Sequence, residues 1–371
     1  MLMKRYVSLD VLRGLTVAMM IVVNNPGSWS RIYPMLRHAS WDGCTPCDLV
    51  FPFFLFCVGV SMAFALAKYA MLNAEALKKI LKRGVLLYLV GLLLTAFPFY
   101  PAHMDPALSF WQNWLEWASG IRLVGVLPRI ALCYVLASVL VLWLKSSKKI
   151  ACAIGVLSIL HVGLLLLFGS AEGALTLEGN FAREIDIAVF GENHIYHGYG
   201  IPFDLEGLLG VLTGTCTVLI GYLIGRSIRC TGQVSSQAEA SARTFVISAG
   251  LLLVGLAISI IIPLNKPLWS VSYVFYTAGW ASFVLALLIY LIDYKGWEKP
   301  FFPFKALGMN ALALFVLSGL LMKINWRYID WDYTAVFGST EFLSLVFALL
   351  YMLLHLAIAV IMYKKKIFVK L

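Results

Sequence analysis

Apolar residues in this chain come in continuous blocks, not in alternation. Leu9–Val23, Leu49–Ala67, Val85–Phe99, Ile150–Phe168, Thr244–Ile262, Ala306–Met322 and Phe342–Tyr363 are such blocks, and three more begin near Arg122, Asp204 and Ser270. Runs of this length suit helices that cross a bilayer. Strands of a membrane barrel would instead alternate over about ten residues. The pattern predicts an all-α fold, a polytopic transmembrane helical bundle of about ten spans. Asn24-Asn25-Pro26-Gly27 is a turn signal that closes the first span. The Ser/Thr/Gln-rich stretch Cys230–Arg243 reads as a cytoplasmic linker, residues 230–243 of a single domain covering 1–371, between about six spans and about four.

Composition strengthens this picture. Of 371 residues, 61% are hydrophobic and 13% charged, against roughly 45–50% and 25% in a soluble domain. The net charge of +10 would suit nucleic acid or anionic partners if the basic residues formed one patch. They fall instead in alternate loops and at the ends: Lys4 and Arg5, Lys68 to Arg83, Lys145 to Lys149, Arg226 to Arg243, Lys295 to Lys305, and Lys364 to Lys370. This positive-inside pattern sets both termini on the cytoplasmic side. It makes membrane lipids a partner and excludes nucleic acid. The first run carries Asp10 and Arg13, three apart on one helix face, and so does not read as a cleavable signal.

The candidate chemistry lies in the polar loops. Between the first two spans, Arg37-His38-Ala39-Ser40-Trp41-Asp42-Gly43 is followed by Asp48 at the mouth of the next span. A histidine beside carboxylates at a span end is a candidate reaction site. Cys44 and Cys47 form a C-x-x-C that suits a redox pair or half a metal site, but no second pair stands at zinc spacing, and no metal is expected. Arg122 and Arg129 stand seven apart and share a face if one helix runs through Pro128. Arg129 is either an anion ligand or a structural ion-pair partner. Asp204 and Glu206 either cap the sixth span or hold a cationic amine. Pro263-Leu264-Asn265-Lys266-Pro267-Leu268-Trp269-Ser270 is a tight outer turn. Asn310, inside the ninth run, needs a hydrogen-bond partner. Trp111, Trp114 and Trp117 form an interfacial belt or a lid.

Several of these stretches resemble the transmembrane heparan-α-glucosaminide N-acetyltransferase family. They are Ser8-Leu9-Asp10-Val11-Leu12-Arg13-Gly14, His38-Ala39-Ser40-Trp41-Asp42-Gly43, Asp48-Leu49-Val50-Phe51-Pro52, Gly125-Val126-Leu127-Pro128-Arg129, Phe203-Asp204-Leu205-Glu206-Gly207, Asn265-Lys266-Pro267-Leu268-Trp269-Ser270 and Gly308-Met309-Asn310-Ala311. The resemblance implies transfer of an acetyl group from acetyl-CoA to the amine of a glucosamine-type sugar or glycan. It implies His38 as catalytic residue, with Asn24 matching a nearby family asparagine. Asp48 then orients the imidazole, and Asn24 or Asn25 donates to the oxyanion. Arg129, Trp269 and Lys266 bind the CoA. Trp41, Asn25, Asp204 and Glu206 bind the acceptor. Lacking the family's lumenal N-terminal domain, the chain is expected to be a short bacterial-type member of the cytoplasmic (inner) membrane, with a homodimer left open. An amino-sugar transporter, or an O-acetyltransferase of a cell-envelope polysaccharide, are the alternatives. A transporter predicts a polar, discontinuous helix near mid-membrane, for which Asn310 and the Gly/Thr-rich sixth span are the hints.

Overall fold

The computed structural model describes residues 6–101, 103–234, 236–329 and 333–369. Lys4, Arg5 and Lys370 of the basic clusters lie outside them. The helices are α1 Val7–Asn24, α2 Val50–Ala65, α3 Ala74–Ala96, α4 Phe110–Ser119, α5 Val126–Leu144, α6 Ser147–Phe168 and α7 Phe181–Phe190. There follow α8 Gly210–Val234, α9 Gln237–Ser259, α10 Val271–Leu288, α11 Phe302–Met309, α12 Ala311–Ile324, α13 Thr334–Phe337 and α14 Glu341–Lys364. Among the described residues there is no strand, only an antiparallel bridge between Asp42 and Asn265.

Nine of these helices, among the described residues, are long and apolar enough to cross a membrane: α1, α2, α5, α6, α8, α9, α10, α12 and α14. The expected span Val85–Phe99 is the second half of α3. Glu75, Lys78, Lys79, Lys82 and Arg83 make its first half polar, so its apolar length falls short of the others. The stretch expected as a linker at 230–243 is taken up by the end of α8 and the start of α9. The long loops are not featureless either. They fold into the amphipathic helices α4 and α7, each opened by a side-chain cap, Ser109 and Asn180.

Glycine lets the central helices touch. A Cβ on Gly59 of α2 would lie 1.9 Å from the Val218 carbonyl oxygen of α8, and one on Gly308 of α11 would lie 1.8 Å from the Asp10 oxygen of α1. Small residues at crossings are how helices pack where lipid removes the hydrophobic drive between them. The outer face of α6 and the residues just past α9 present Ile159, Leu167, Ile260 and Ile261 largely exposed. In water that surface would be an aggregation liability; in a bilayer it is the lipid contact. The chain is an integral membrane protein.

Two polar groups inside the bundle have hydrogen-bond partners there. Arg13 donates to Asp10 at 3.1 Å and to the Gly308 carbonyl at 3.3 Å. Asn310, 1% exposed, breaks the helix between α11 and α12. Its amide donates to the Ile367 carbonyl at 3.0 Å and accepts from the Val369 N–H at 2.9 Å, tying down the C-terminal tail.

Candidate active site

The segment Thr45-Pro46-Cys47-Asp48 is a capping box at the entrance of α2. Its geometry divides the two oxygens of Asp48. Oδ2 accepts from the backbone N–H of Ala39, the N–H of Thr45 and the Thr45 hydroxyl, each at 3.1 Å. Oδ1 is left for the imidazole: His38 Nδ1 stands 2.6 Å away. An ionised carboxylate only accepts hydrogen bonds, so Nδ1 carries a proton in this pair. The Asp48 side chain is 1% exposed and that of His38 is 48% exposed. A sealed carboxylate therefore orients an imidazole whose other nitrogen meets solvent. From α10, the Tyr273 hydroxyl donates to the Asp48 backbone carbonyl at 2.5 Å.

The outer turn before α10 reaches the same place. Gly43 N–H donates to the Leu264 carbonyl at 2.6 Å, and the Asn265 amide donates to Asp42 Oδ1 at 3.1 Å. Asn265 also accepts the Leu268 N–H, and Ser270 Oγ accepts the Asn265 N–H. This turn delivers Lys266 Nζ to 3.3 Å from Asp48 Oδ1, 3.0 Å from His38 Nδ1 and 3.5 Å from His38 Nε2. A donor in the ring plane at Nδ1 would sit much farther from Nε2. Near-equal distances put the ammonium over the face of the imidazole, not on a ring lone pair. Cys47 Sγ, 3.2 and 3.6 Å from the same two nitrogens, is also over a face. Burial pushes the Cys44 thiol up to about 12, so it is no ready thiolate. Among the described residues no group of three or more His, Cys, Asp and Glu side chains has metal-site geometry.

Other residues singled out in the sequence lie elsewhere. Asn24, Asn25 and the exposed Trp29 line a separate cavity of about 310 Å³, together with Thr95, Ser318 and Lys323. The Asn25 amide donates to the Ile21 carbonyl at 2.7 Å. Trp41 donates to the Leu175 carbonyl at 2.9 Å and meets Phe203 and Tyr199 edge-on. Arg122 and Arg129 do not share a helix, because α5 starts only at Val126 after Gly125; Pro128 sits in its first turn, where proline is tolerated. Arg122 lies in the preceding loop, held by Asp204 at 2.7 and 2.5 Å and by Glu206. Those carboxylates raise its pKa further above the ordinary guanidinium value. Asp204 and Glu206 do not cap α8, which begins four residues past Glu206 at Gly210. Both Asp204 oxygens are also filled by the N–H groups of Tyr196 and Glu206.

Arg129 is 1% exposed. It donates to the Leu205 carbonyl at 2.6 Å and lies over the Trp269 ring at 4.5 Å. A Cβ on Gly210 would fall 1.6 Å from its Nη2. Asp186 is fully buried close by, accepting from Leu208 N–H at 2.8 Å with its second oxygen unpartnered. Burial pushes its carboxyl up to about 7.

A larger cavity, about 660 Å³, opens at the end of the bundle opposite the His38 loop. It runs from Tyr6, Arg13 and Arg83 inward to Phe54 and Leu127. Phe54 is six residues beyond Asp48 on α2, about 9 Å along the helix axis. Arg83 lies over the Tyr134 ring, and Arg13 Nε is buried without a partner. The sequence pass missed this cavity and the meeting of Lys266 with His38. The basic residues of α3 and the Asn-Lys-Pro turn were its only traces.

With this geometry in place, the comparison with known proteins is informative. A model of the family described as heparan-alpha-glucosaminide N-acetyltransferase, catalytic, matches residues 5–174, which include α1, the His38 loop, α2 and α5. Heparan-alpha-glucosaminide N-acetyltransferase of Mus musculus is 27% identical over 421 positions, covering 98% of this chain and 60% of the mouse protein. That of Homo sapiens is 27% identical over 417 positions, covering 98% and 59%. The chain is similar to this family over residues 5–174 and to the mouse and human enzymes along nearly its whole length. It spans about 60% of the length of the relatives it matches. The matched region carries the His38–Asp48 pair and one wall of the larger cavity, while Lys266 comes from beyond residue 174.

Proposed function

We propose that this protein moves an acetyl group from acetyl-CoA to the amine of a glucosamine-type sugar or glycan, with His38 as general base. The observation that carries the reading is the His38–Asp48 pair, 2.6 Å apart with one partner sealed and the other open. Acyl transfer to an amine needs a group that takes the amine proton near neutral pH, and an imidazole held in one tautomer does this. Asp48 fixes that tautomer and stabilises the imidazolium formed when Nε2 takes the proton.

The donor fits the larger cavity better than the buried Arg129–Trp269 pair. A cavity of about 660 Å³ with two guanidinium groups at its mouth matches a ligand with phosphates and a long arm. Arg13 and Arg83 are the residues that would hold the phosphates. Acetyl-CoA supplies the activated acyl thioester. Asp204 and Glu206, already bound to Arg122, shape the wall near Trp41 rather than take a cation. Of the two hints for transport, α8 runs unbroken from Gly210 to Val234, and the polar groups at the Asn310 break bond the C-terminal tail; both favour the acyl-transfer reading.

The test is acetyl transfer from labelled acetyl-CoA to glucosamine by the purified protein, beside His38→Ala and Asp48→Asn. Wild type transfers label, His38→Ala loses it, and Asp48→Asn loses about 10²–10⁴-fold in kcat. Transfer undiminished in His38→Ala would remove the histidine from the chemistry. Labelled sugar accumulating inside proteoliposomes without acetylation would instead favour transport.

A further inference from the structure

We propose that Lys266 is a catalytic residue, whose ammonium stabilises the oxyanion formed as the acceptor amine attacks the acyl thioester. This rests on the acyl-transfer reading above and names a group that reading lacks. The base alone does not catalyse such a reaction, because the carbonyl oxygen becomes negative as the new C–N bond forms. Asn24, the sequence candidate for this donor, lines a different cavity. Lys266 stands where a donor is needed. Its Nζ is 3.5 Å from His38 Nε2, the nitrogen that takes the amine proton, and its side chain is only 12% exposed. Nζ is 3.3 Å from Asp48 Oδ1 as an ion pair, and an ammonium has three N–H groups, so donors remain for a ligand. The turn that carries it is pinned to the His38 loop through Gly43, Asp42 and Asn265, so the cation is held in place before substrate arrives.

The amine nitrogen bonds to the thioester carbon, the carbonyl π pair moves to oxygen beside Lys266, and the amine proton passes to His38 Nε2. When the oxyanion collapses, the C–S bond breaks, and the imidazolium returns the proton to the leaving sulfur. The charge developing on oxygen sits against an ammonium in a site half closed to water, where such a contact is strongest. Asp48 is close enough to keep Lys266 from repelling the imidazolium, because its Oδ1 faces both cations.

The experiment is steady-state kinetics of the full chain in detergent, comparing wild type, Lys266→Met and Lys266→Arg, with the melting temperature of each. We expect Lys266→Met to lose about 10²–10³-fold in kcat, with the KM of donor and acceptor within about threefold of wild type and the melting temperature unchanged. Lys266→Arg recovers at least tenfold over Met. Either of two results in an active wild type overturns the inference alone: kcat within a few-fold in Lys266→Met, or a loss confined to donor KM, which marks a CoA-binding lysine. A fall in melting temperature that accounts for the loss in both variants overturns it too. A wild type that acetylates no amine removes the acyl-transfer reading and this inference with it.

Discussion

Asp186 shows how a single buried carboxyl leaves a signature outside the reaction. Its folded-state value of about 7 lies above the ordinary 3.8. Between those values the folded protein binds more protons than the unfolded chain, so stability falls as pH rises from about 4 to about 7 and is flat above that. The cost of ionising it is on the order of a few kcal/mol. Asp186→Asn keeps an acceptor for the Leu208 N–H and removes the charge. We expect the variant to melt at the same temperature at pH 5 and pH 8, and above wild type at pH 8. A variant that still loses stability across that range would place the titration elsewhere. The same residue marks a limit of sequence reading. In the sequence Asp186 is one acid among several in a long polar stretch, and its burial depends on α7 packing under Gly207, where a Cβ would lie 1.8 Å from its Oδ2. His38 and Asp48 were legible as a pair because ten residues of loop and a capping motif bring them together locally. Lys266 was legible as a polar turn residue, but not as a neighbour of a histidine 228 positions away. Arg129 was legible as costly, and the ring that sits against it was not.

At the scale of elements, apolar blocks gave the number and order of spans well, since a bilayer imposes one length on each. They failed where a helix is part polar, as in α3, and where polar composition hid helix ends, as at the end of α8 and the start of α9. Helix contacts follow the glycines. Gly59→Ala and Gly308→Ala put a methyl against a backbone carbonyl at under 2 Å. Each should cost about 1–3 kcal/mol by overpacking and lower the melting temperature in detergent by several degrees. Gly250, on the same kind of helix, has nothing within 4 Å of its missing Cβ. Gly250→Ala should be neutral or stabilising by up to about 1 kcal/mol, through helix propensity alone. If all three behave alike, the close crossings are not what holds α1, α2, α8 and α11 together.

The molecule as a whole has two unlike ends. One carries the His38 loop, the outer turn at Lys266 and the amphipathic helices α4 and α7. The other carries Arg13, Arg83 and the mouth of the larger cavity. Charge asymmetry predicts that the second end faces the cytoplasm. Cys152 is exposed near the start of α6, at that end. A membrane-impermeant maleimide should label Cys152 only after cells are opened, and should label an introduced Ser30→Cys on intact cells. The reverse pattern would turn the protein over and put the histidine on the side where acetyl-CoA is made.

The bridge between Asp42 and Asn265 joins segments translated far apart in time. A ribosome threads the first six apolar helices into the lipid before it makes the turn that meets His38. Throughout that interval the newly inserted imidazole has its carboxylate but neither the cation over its ring nor the Tyr273 hydroxyl behind it. On the proposed mechanism, competence for acyl transfer arrives late in biogenesis, when the start of α10 docks against the mouth of α2. On that mechanism, a chain stalled or clipped near residue 235 holds the His38–Asp48 pair without Lys266 and Tyr273, and separately expressed halves regain activity only by finding each other in the bilayer.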